Sequence, residues 1–288
     1  NIWHPLIMRN PHSVMFEVAL CVMLYTTVLS LEFSPIVLER FNMEKPLRII
    51  RGVLVPLVIL GVLLSTLHQS SLGTMYLIMP NKLHPFWYTP LLPAFFFISA
   101  IAVGLAMTIF ESSLSSKYFN KQLELPILQS LGRVLIVVMA VFLILRFEDL
   151  LHRGMLSQIV NPGTHAYERN LFLLEIALLL GGFVLLCFKQ VRMKAGGLYL
   201  SAVLVLLGFV TNRLNVSITG MEAQAGVRYV PKWTEIGVTA AFVAAGFAIF
   251  GLAAKYLPIF EEEHGHALAS AAEKDAANEA AMSHVAGD

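Results

Sequence analysis

Glu17, Glu32, His68, Glu111, Arg133, Arg146, Glu148, Asp149, Glu175, Arg213 and Glu235 all stand inside stretches that are otherwise almost entirely apolar. An ionisable side chain placed in hydrocarbon costs roughly 2.5–3.5 kcal/mol on insertion scales, so each one needs a reason to be there. His68 carries the most specific signal. In Leu67-His68-Gln69-Ser70-Ser71 an imidazole, an amide and two hydroxyls converge at the end of an apolar run. Such a set can hydrogen-bond a quinone carbonyl and exchange a proton with it near neutral pH. The blander reading is an imidazole N–H satisfied by a backbone carbonyl at a helix terminus. For the acids and arginines the corresponding alternatives are snorkelling to water and mutual neutralisation, as of Arg146 by Glu148 or Glu17.

The elements that must position these groups are membrane helices. The residues AVILMFWYC make up 57% of the 288 positions and charged residues 14%, against roughly 45–50% and 25% in soluble domains. Apolar runs fall at 13–38, 47–68, 88–111, 126–148, 169–188, 197–216 and 233–257, each close to the length of about 20 residues that crosses a bilayer. The fold class read from this is all-α, a polytopic transmembrane bundle with seven spanning helices over residues 1–260. Pro56 with Gly61, Gly181 with Gly182, and Gly246 with Gly251 fall within runs, as bundled membrane helices allow. Residues 261–288, rich in Glu, Ala and His, read as a disordered cytoplasmic tail in which His264 and His266 could bind a metal only adventitiously. The opening Asn-Ile-Trp-His, without Met or leader, reads as a start part-way through a longer protein.

Basic residues in short loops set the orientation. Arg40, Lys45, Arg48, Arg51, Lys117, Lys121, Lys189, Arg192, Lys194 and Lys255 mark one side; Arg9, Lys82, Arg153, Arg169, Arg228 and Lys232 mark the other. The first side is the cytoplasmic one, which puts residue 1 outside and the C-terminus inside. Glu17, His68, Arg146, Glu148, Asp149, Glu175, Arg213 and Glu235 then cluster towards the outer ends of their helices, and Glu32, Glu111 and Arg133 towards the inner ends. The pattern suggests an outer-leaflet pocket with a proton route leading inward. The outer stretches from Lys82 to Pro90 and from Gly220 to Trp233, rich in aromatics, His and Pro, suggest an interfacial belt and a docking surface for an extracytoplasmic partner.

Several chemistries are excluded or disfavoured on counting. Cys21 and Cys187 both lie in apolar runs, so no disulfide framework and no iron–sulfur cluster is expected on this chain. A membrane cytochrome b needs imidazoles facing one another across helices, yet of nine histidines only His68 lies near a helix interior, with His84 and His152 in or beside outer loops. No haem is therefore expected. Nothing in the charge distribution suggests nucleic acid.

An ordered set of short segments carries a family resemblance: Ser13-Val14-Met15-Phe16-Glu17, Leu31-Glu32-Phe33-Ser34-Pro35 followed by Glu39-Arg40, His68-Gln69-Ser70-Ser71-Leu72-Gly73, Ile109-Phe110-Glu111, Leu145-Arg146-Phe147, Asn212-Arg213-Leu214 and Tyr229-Val230-Pro231-Lys232-Trp233-Thr234-Glu235. Together they resemble the NrfD/polysulfide-reductase family of quinone-interacting membrane subunits, and most of all the HybB type found with periplasmic [NiFe] hydrogenases. The resemblance runs from about residue 13 to 260. It implies a ten-helix full-length protein, with three helices before Asn1, in the bacterial cytoplasmic membrane. It also implies a subunit linking a periplasmic iron–sulfur protein and catalytic oxidoreductase subunits, such as the large and small subunits of a [NiFe] hydrogenase, to menaquinone or ubiquinone. On that reading Glu17, His68, Gln69 and Arg146 bind quinone. Glu32, Glu111, Glu148 and Asp149 form a proton path, and Glu175, Arg213 and Glu235 are structural ion pairs. Alternatives from other classes are a secondary transporter with midplane carboxylates, the membrane subunit of a polysulfide, nitrite or menaquinone reductase, and a passive anchor.

Overall fold

In a computed structural model, the described residues are 7–8, 10, 12–119, 123–160, 163, 165–226 and 231–256. Arg9, Lys121, Arg228, His264, His266 and the whole of 261–288 lie outside them. Apolar runs in which nearly every backbone group must be satisfied internally have one solution in a bilayer besides a closed barrel, and the chain adopts it. Among the described residues seven helices are long and apolar enough to cross a membrane: α1 (Val14–Arg40), α2 (Glu44–Leu77), α3 (Leu92–Phe119), α4 (Leu125–His152), α5 (Ala166–Cys187), α6 (Ala195–Leu214) and α7 (Trp233–Tyr256). The chain is a multi-pass membrane protein.

Helix starts follow local chemistry. Pro46, Pro93 and Pro126 sit in the first turns of α2, α3 and α4, where a missing N–H costs nothing. The largest departure from the hydropathy pattern is at α2. The apolar run stops at 68, but the helix continues over Gln69-Ser70-Ser71 to Leu77, so His68 is an interior residue rather than a terminal one. Packing explains the extension. Ser71 and Gly73 are buried, and a Cβ on Gly73 would come within 2.6 Å of Pro93 Cα, so this polar stretch is pressed onto the start of α3. At its other end α6 runs on through a π-helical turn, Asn215–Thr219, into a short helix, Gly220–Ala225.

The described residues divide into two compact units, one taking in residues up to 26 and 60–229, the other 27–59 and 230 onward. In the first, α5 pairs most extensively with α6, and α3 packs on both α4 and α6. Ala102, Ala106, Leu135, Met139, Leu179 and Val205 are completely buried between these four helices. The α5–α6 seam is set by two glycines. A Cβ on Gly182 would lie 2.7 Å from Val205 Cγ2 and 3.1 Å from its backbone nitrogen, and one on Gly208 would lie 2.7 Å from Leu179 Cδ2. Small residues at such seams let helix backbones approach where no hydrophobic force drives them together. Gly182→Leu is therefore expected to lower stability by about 1–3 kcal/mol, whereas Gly104→Ala, with nothing within 4 Å of the added carbon, should be neutral or better. Paired thermal melts in one detergent check both.

The second unit holds the inner part of α1, the start of α2 and α7. Arg51 and Glu39 pair across the α1–α2 turn, where Asn42 takes a left-handed conformation (φ 52°) that its short polar side chain tolerates. Trp233, Phe242 and Phe247 of α7 are more than 60% exposed, as lipid-facing side chains are.

Candidate functional site

The stretch between α2 and α3 is short, and its sequence His84-Pro85-Phe86-Trp87-Tyr88-Thr89 would pass for a surface aromatic belt. It is instead turned into the bundle. Phe86, Trp87 and Thr89 have no exposed surface and Leu83 and His84 only 2%, packed with Phe96, Leu150, Phe172 and Val216 in a second core at the α2–α3 loop end of the bundle. What holds it there is a set of charged and amide side chains from the end of α4, the middle of α5 and the end of α6.

Glu175, fully buried on α5, is the centre. Its Oε2 accepts from Trp87 Nε1 at 3.0 Å and from Asn215 Nδ2 at 3.0 Å, and its Oε1 accepts from Asn212 Nδ2 at 2.8 Å. Arg146 Nη2 of α4 lies 4.0 Å from Oε1, donates to the carbonyl of Phe86 at 3.2 Å, and has its guanidinium 5.5 and 5.6 Å from the Phe95 and Phe172 ring centroids. The π-turn after α6 leaves Asn212 and Asn215 aimed at the same carboxylate. A second clamp lies one turn further along α4, where Asp149 accepts from Thr89 Oγ1 at 2.6 Å and pairs with Arg153 at 2.5 Å. Arg153 in turn donates to the carbonyls of Pro85 and Tyr88. At the far end of the segment the backbone N–H of His84 donates to Gly220 O at 2.9 Å. Its Nδ1 accepts from the Phe86 N–H, and its ring abuts that of His165 with centroids 4.9 Å apart. Burial and the neighbouring His165 push the His84 pKa down to about 4, so the ring is neutral at ordinary pH.

A different cluster forms where the outer part of α1 meets α2. Ser71 Oγ donates to Glu17 Oε1 at 2.9 Å, and the His68 ring lies 5.7 Å from that of Tyr25. His68 Nδ1 is buried and has no hydrogen-bond partner. A buried imidazole nitrogen left unpaired is a costly arrangement unless something else binds it. Gln69 is half-buried beside it and Glu17 is exposed.

Of the residues expected to bind quinone, Glu17, His68 and Gln69 thus lie in the same region, with Ser71 and Tyr25. Arg146 forms no polar contact with any of them and is committed to Glu175 and the 83–91 segment. Of the expected proton path, Asp149 is committed to Thr89 and Arg153. Glu148 is exposed and 3.9 Å from His152, Glu111 is exposed, and Glu32 is half-buried in the other unit. Among the expected ion pairs, Glu175 has Arg146 within 4.0 Å rather than Arg213; Glu235 lies on α7, in the other unit. Trp87, Thr89, Asn212 and Asn215 were not picked out from sequence. The two asparagines, three apart in an apolar run, were the available signal, because uncharged polar groups in hydrocarbon also need partners.

A family model described as "Polysulphide reductase, NrfD" matches residues 1–224. The chain is 33% identical over 253 residues to a probable Ni/Fe-hydrogenase 2 b-type cytochrome subunit of Escherichia coli, covering 87% of this chain and 64% of the relative. It is 28% identical over 290 residues to the integral membrane subunit of menaquinone reductase of Nitratidesulfovibrio vulgaris, covering 91% and 67%. A further protein of that organism is 34% identical over 282 residues, covering 91% and 71%. The chain thus spans about two thirds of the length of these relatives. The name of the E. coli relative overturns the expectation that haem is excluded: a b-type cytochrome subunit is a haem protein by name, and a histidine count over one chain is no test against it. Among the described residues, the one pair of imidazoles in contact, His84 and His165, has ring centroids 4.9 Å apart, too close to hold an iron porphyrin between them. No step below passes through a haem group.

Proposed function

Since the chain belongs to the NrfD family, as a membrane subunit related to those of hydrogenase and menaquinone reductase, we propose that it is the quinone-reactive subunit of a respiratory oxidoreductase of the [NiFe]-hydrogenase type in the bacterial cytoplasmic membrane. The observation that carries this reading is the buried, unpaired Nδ1 of His68 in a cluster with Glu17, Ser71, Gln69 and Tyr25. A quinone carbonyl accepts a hydrogen bond, and its reduction to quinol takes up two electrons and two protons. The N–H of a neutral imidazole donates that bond, and its imidazolium form passes a proton on. Glu17, bonded to Ser71 and open to its surroundings, returns a proton from its carboxylic acid form to the neutral imidazole. Electrons arrive from a periplasmic iron–sulfur partner bound at the outer end. The partner meets a firm surface there, because Glu175, Arg146, Asp149 and Arg153 hold segment 83–91 from beneath. Glu32 and Glu111 supply protons from the cytoplasmic side, where the C-terminus lies.

A second reading within the same family is favoured by the similarity to the menaquinone reductase subunit: the same quinone chemistry served by a different electron-donating partner. Isolation of the full-length protein in mild detergent, with mass spectrometry of what accompanies it, separates the two. Iron–sulfur and hydrogenase subunits with bound menaquinone or ubiquinone support the first; a partner of another oxidoreductase class supports the second. A solitary protein without quinone overturns both. His68→Ala in the assembled complex is expected to lower quinone-linked turnover about 10²-fold or more, and unchanged turnover would remove His68 from the site.

A further inference from the structure

Buried guanidinium groups are nearly always paired with a carboxylate, and Arg146 obeys that rule. Arg213, part-buried near the C-terminal end of α6, differs from it. Among the described residues no carboxylate lies within 4.0 Å of it. Its partners are neutral: Ser99 Oγ at 2.6 Å, the Phe96 carbonyl at 3.4 Å and Asn212 Oδ1 at 3.5 Å, with the Phe96 ring centroid 3.6 Å from its central carbon. Of its five N–H donors, the one on Nε bonds nothing among the described residues. Excess positive charge at this depth invites an anion.

The same Phe96 ring has Tyr76 against it, with centroids 5.9 Å apart. Tyr76 shares a stripe of α2 with His68, because positions 68, 72 and 76 follow one another at four-residue spacing along one helical face. Leu72 and Tyr76 on that stripe pack against the outer core that contains Phe96. One face of α2 therefore carries the unpaired imidazole at one end and, two turns on, a phenol beside an arginine without a carboxylate. A quinone has carbonyl oxygens on opposite edges of its ring and becomes anionic as electrons arrive. A site for it needs a donor at each edge and a cation near one of them.

We propose that Arg213, with Tyr76 beside it, is the second pole of the quinone site and binds the carbonyl oxygen remote from His68 together with the negative charge that develops on it. This rests on the reading of the His68 cluster as a quinone site, and it gives Arg213 the place among the quinone-binding residues that was expected of Arg146.

The test uses the complete complex with its native partner subunits and a short-chain quinone as acceptor. The donor-to-viologen rate, which bypasses quinone, is measured on the same samples. Arg213→Gln is expected to raise the quinone KM at least about tenfold and to lower kcat, as loss of a charge-assisted hydrogen bond requires, with the viologen rate unchanged. Arg213→Lys, which keeps the charge, should recover part of both, a pattern that a packing role would not give. Tyr76→Phe, which keeps the ring, should raise KM several-fold and provides the readout if the glutamine variant does not assemble. Unchanged KM and kcat in Tyr76→Phe and in the arginine variants overturn the inference while a defect in His68→Ala leaves the site reading standing. Unchanged quinone turnover in all of them, His68→Ala included, overturns the site reading itself.

Discussion

Glu175→Ala is expected to destabilise the protein by about 3–5 kcal/mol, the cost of removing one partner from a buried charge pair. The substitution would strip the acceptor from three N–H groups, on Trp87, Asn212 and Asn215, and leave Arg146 buried with no carboxylate within 4.0 Å. Each orphaned donor adds its own desolvation penalty. Glu175→Gln keeps the shape and one acceptor oxygen but turns an amide NH2 towards groups that are themselves donors, so it should recover only part of the loss. Melting of the detergent-solubilised chain, followed by tryptophan fluorescence, reads the effect because Trp87 is one of the three donors. An alanine variant within 1 kcal/mol of the wild type would show that the carboxylate is not the keystone of the outer end.

Acid should loosen the same region through His84. Its folded-state pKa is about 4 against about 6.5 for a free imidazole, so the unfolded chain takes up the proton first. Stability from this residue is complete above pH 6.5 and is lost as pH falls from there towards 4, by about 3 kcal/mol in total. The groups that face the ring are His165 and Glu168 from the start of α5, with Arg153 bonded to the carbonyl of the adjacent Pro85. His84→Phe, which keeps a ring in the slot, should flatten the dependence of melting temperature on pH over this window; an equally steep dependence in that variant would assign it to other groups.

The spanning segments were legible because hydropathy at about 20-residue length is a direct readout of the bilayer, and five of the seven helices begin and end within a few residues of their apolar runs. α3 runs eight residues past its run, and α2 nine, the latter because the polar stretch around Ser71 is pressed onto Pro93, a tertiary effect with no local signature. The candidate site was partly legible. Glu17, His68 and Gln69 stood out as polar groups in hydrocarbon, and the structure places them in one region. Arg146 and Asp149 stood out by the same criterion, yet it cannot say which partner a buried charge has. Their partners include the Phe86 carbonyl, for Arg146, and Thr89, for Asp149, in a segment that reads as an exposed aromatic belt. The same criterion could not separate Arg146, which has Glu175 within 4.0 Å, from Arg213, whose hydrogen-bond partners among the described residues are neutral.

The anchoring of the 83–91 segment also bears on how the chain is made. Trp87 leaves the ribosome long before its acceptor, since Glu175 follows 88 residues later and Asn215 a further 40. At roughly 5–20 residues per second, the outer end is without its clamp for many seconds of synthesis, and closes only when the sixth spanning helix has been inserted. The anchored segment is therefore a late product of biogenesis, and a chain that stalls before α6 holds it without its two asparagine-bonded contacts to Glu175.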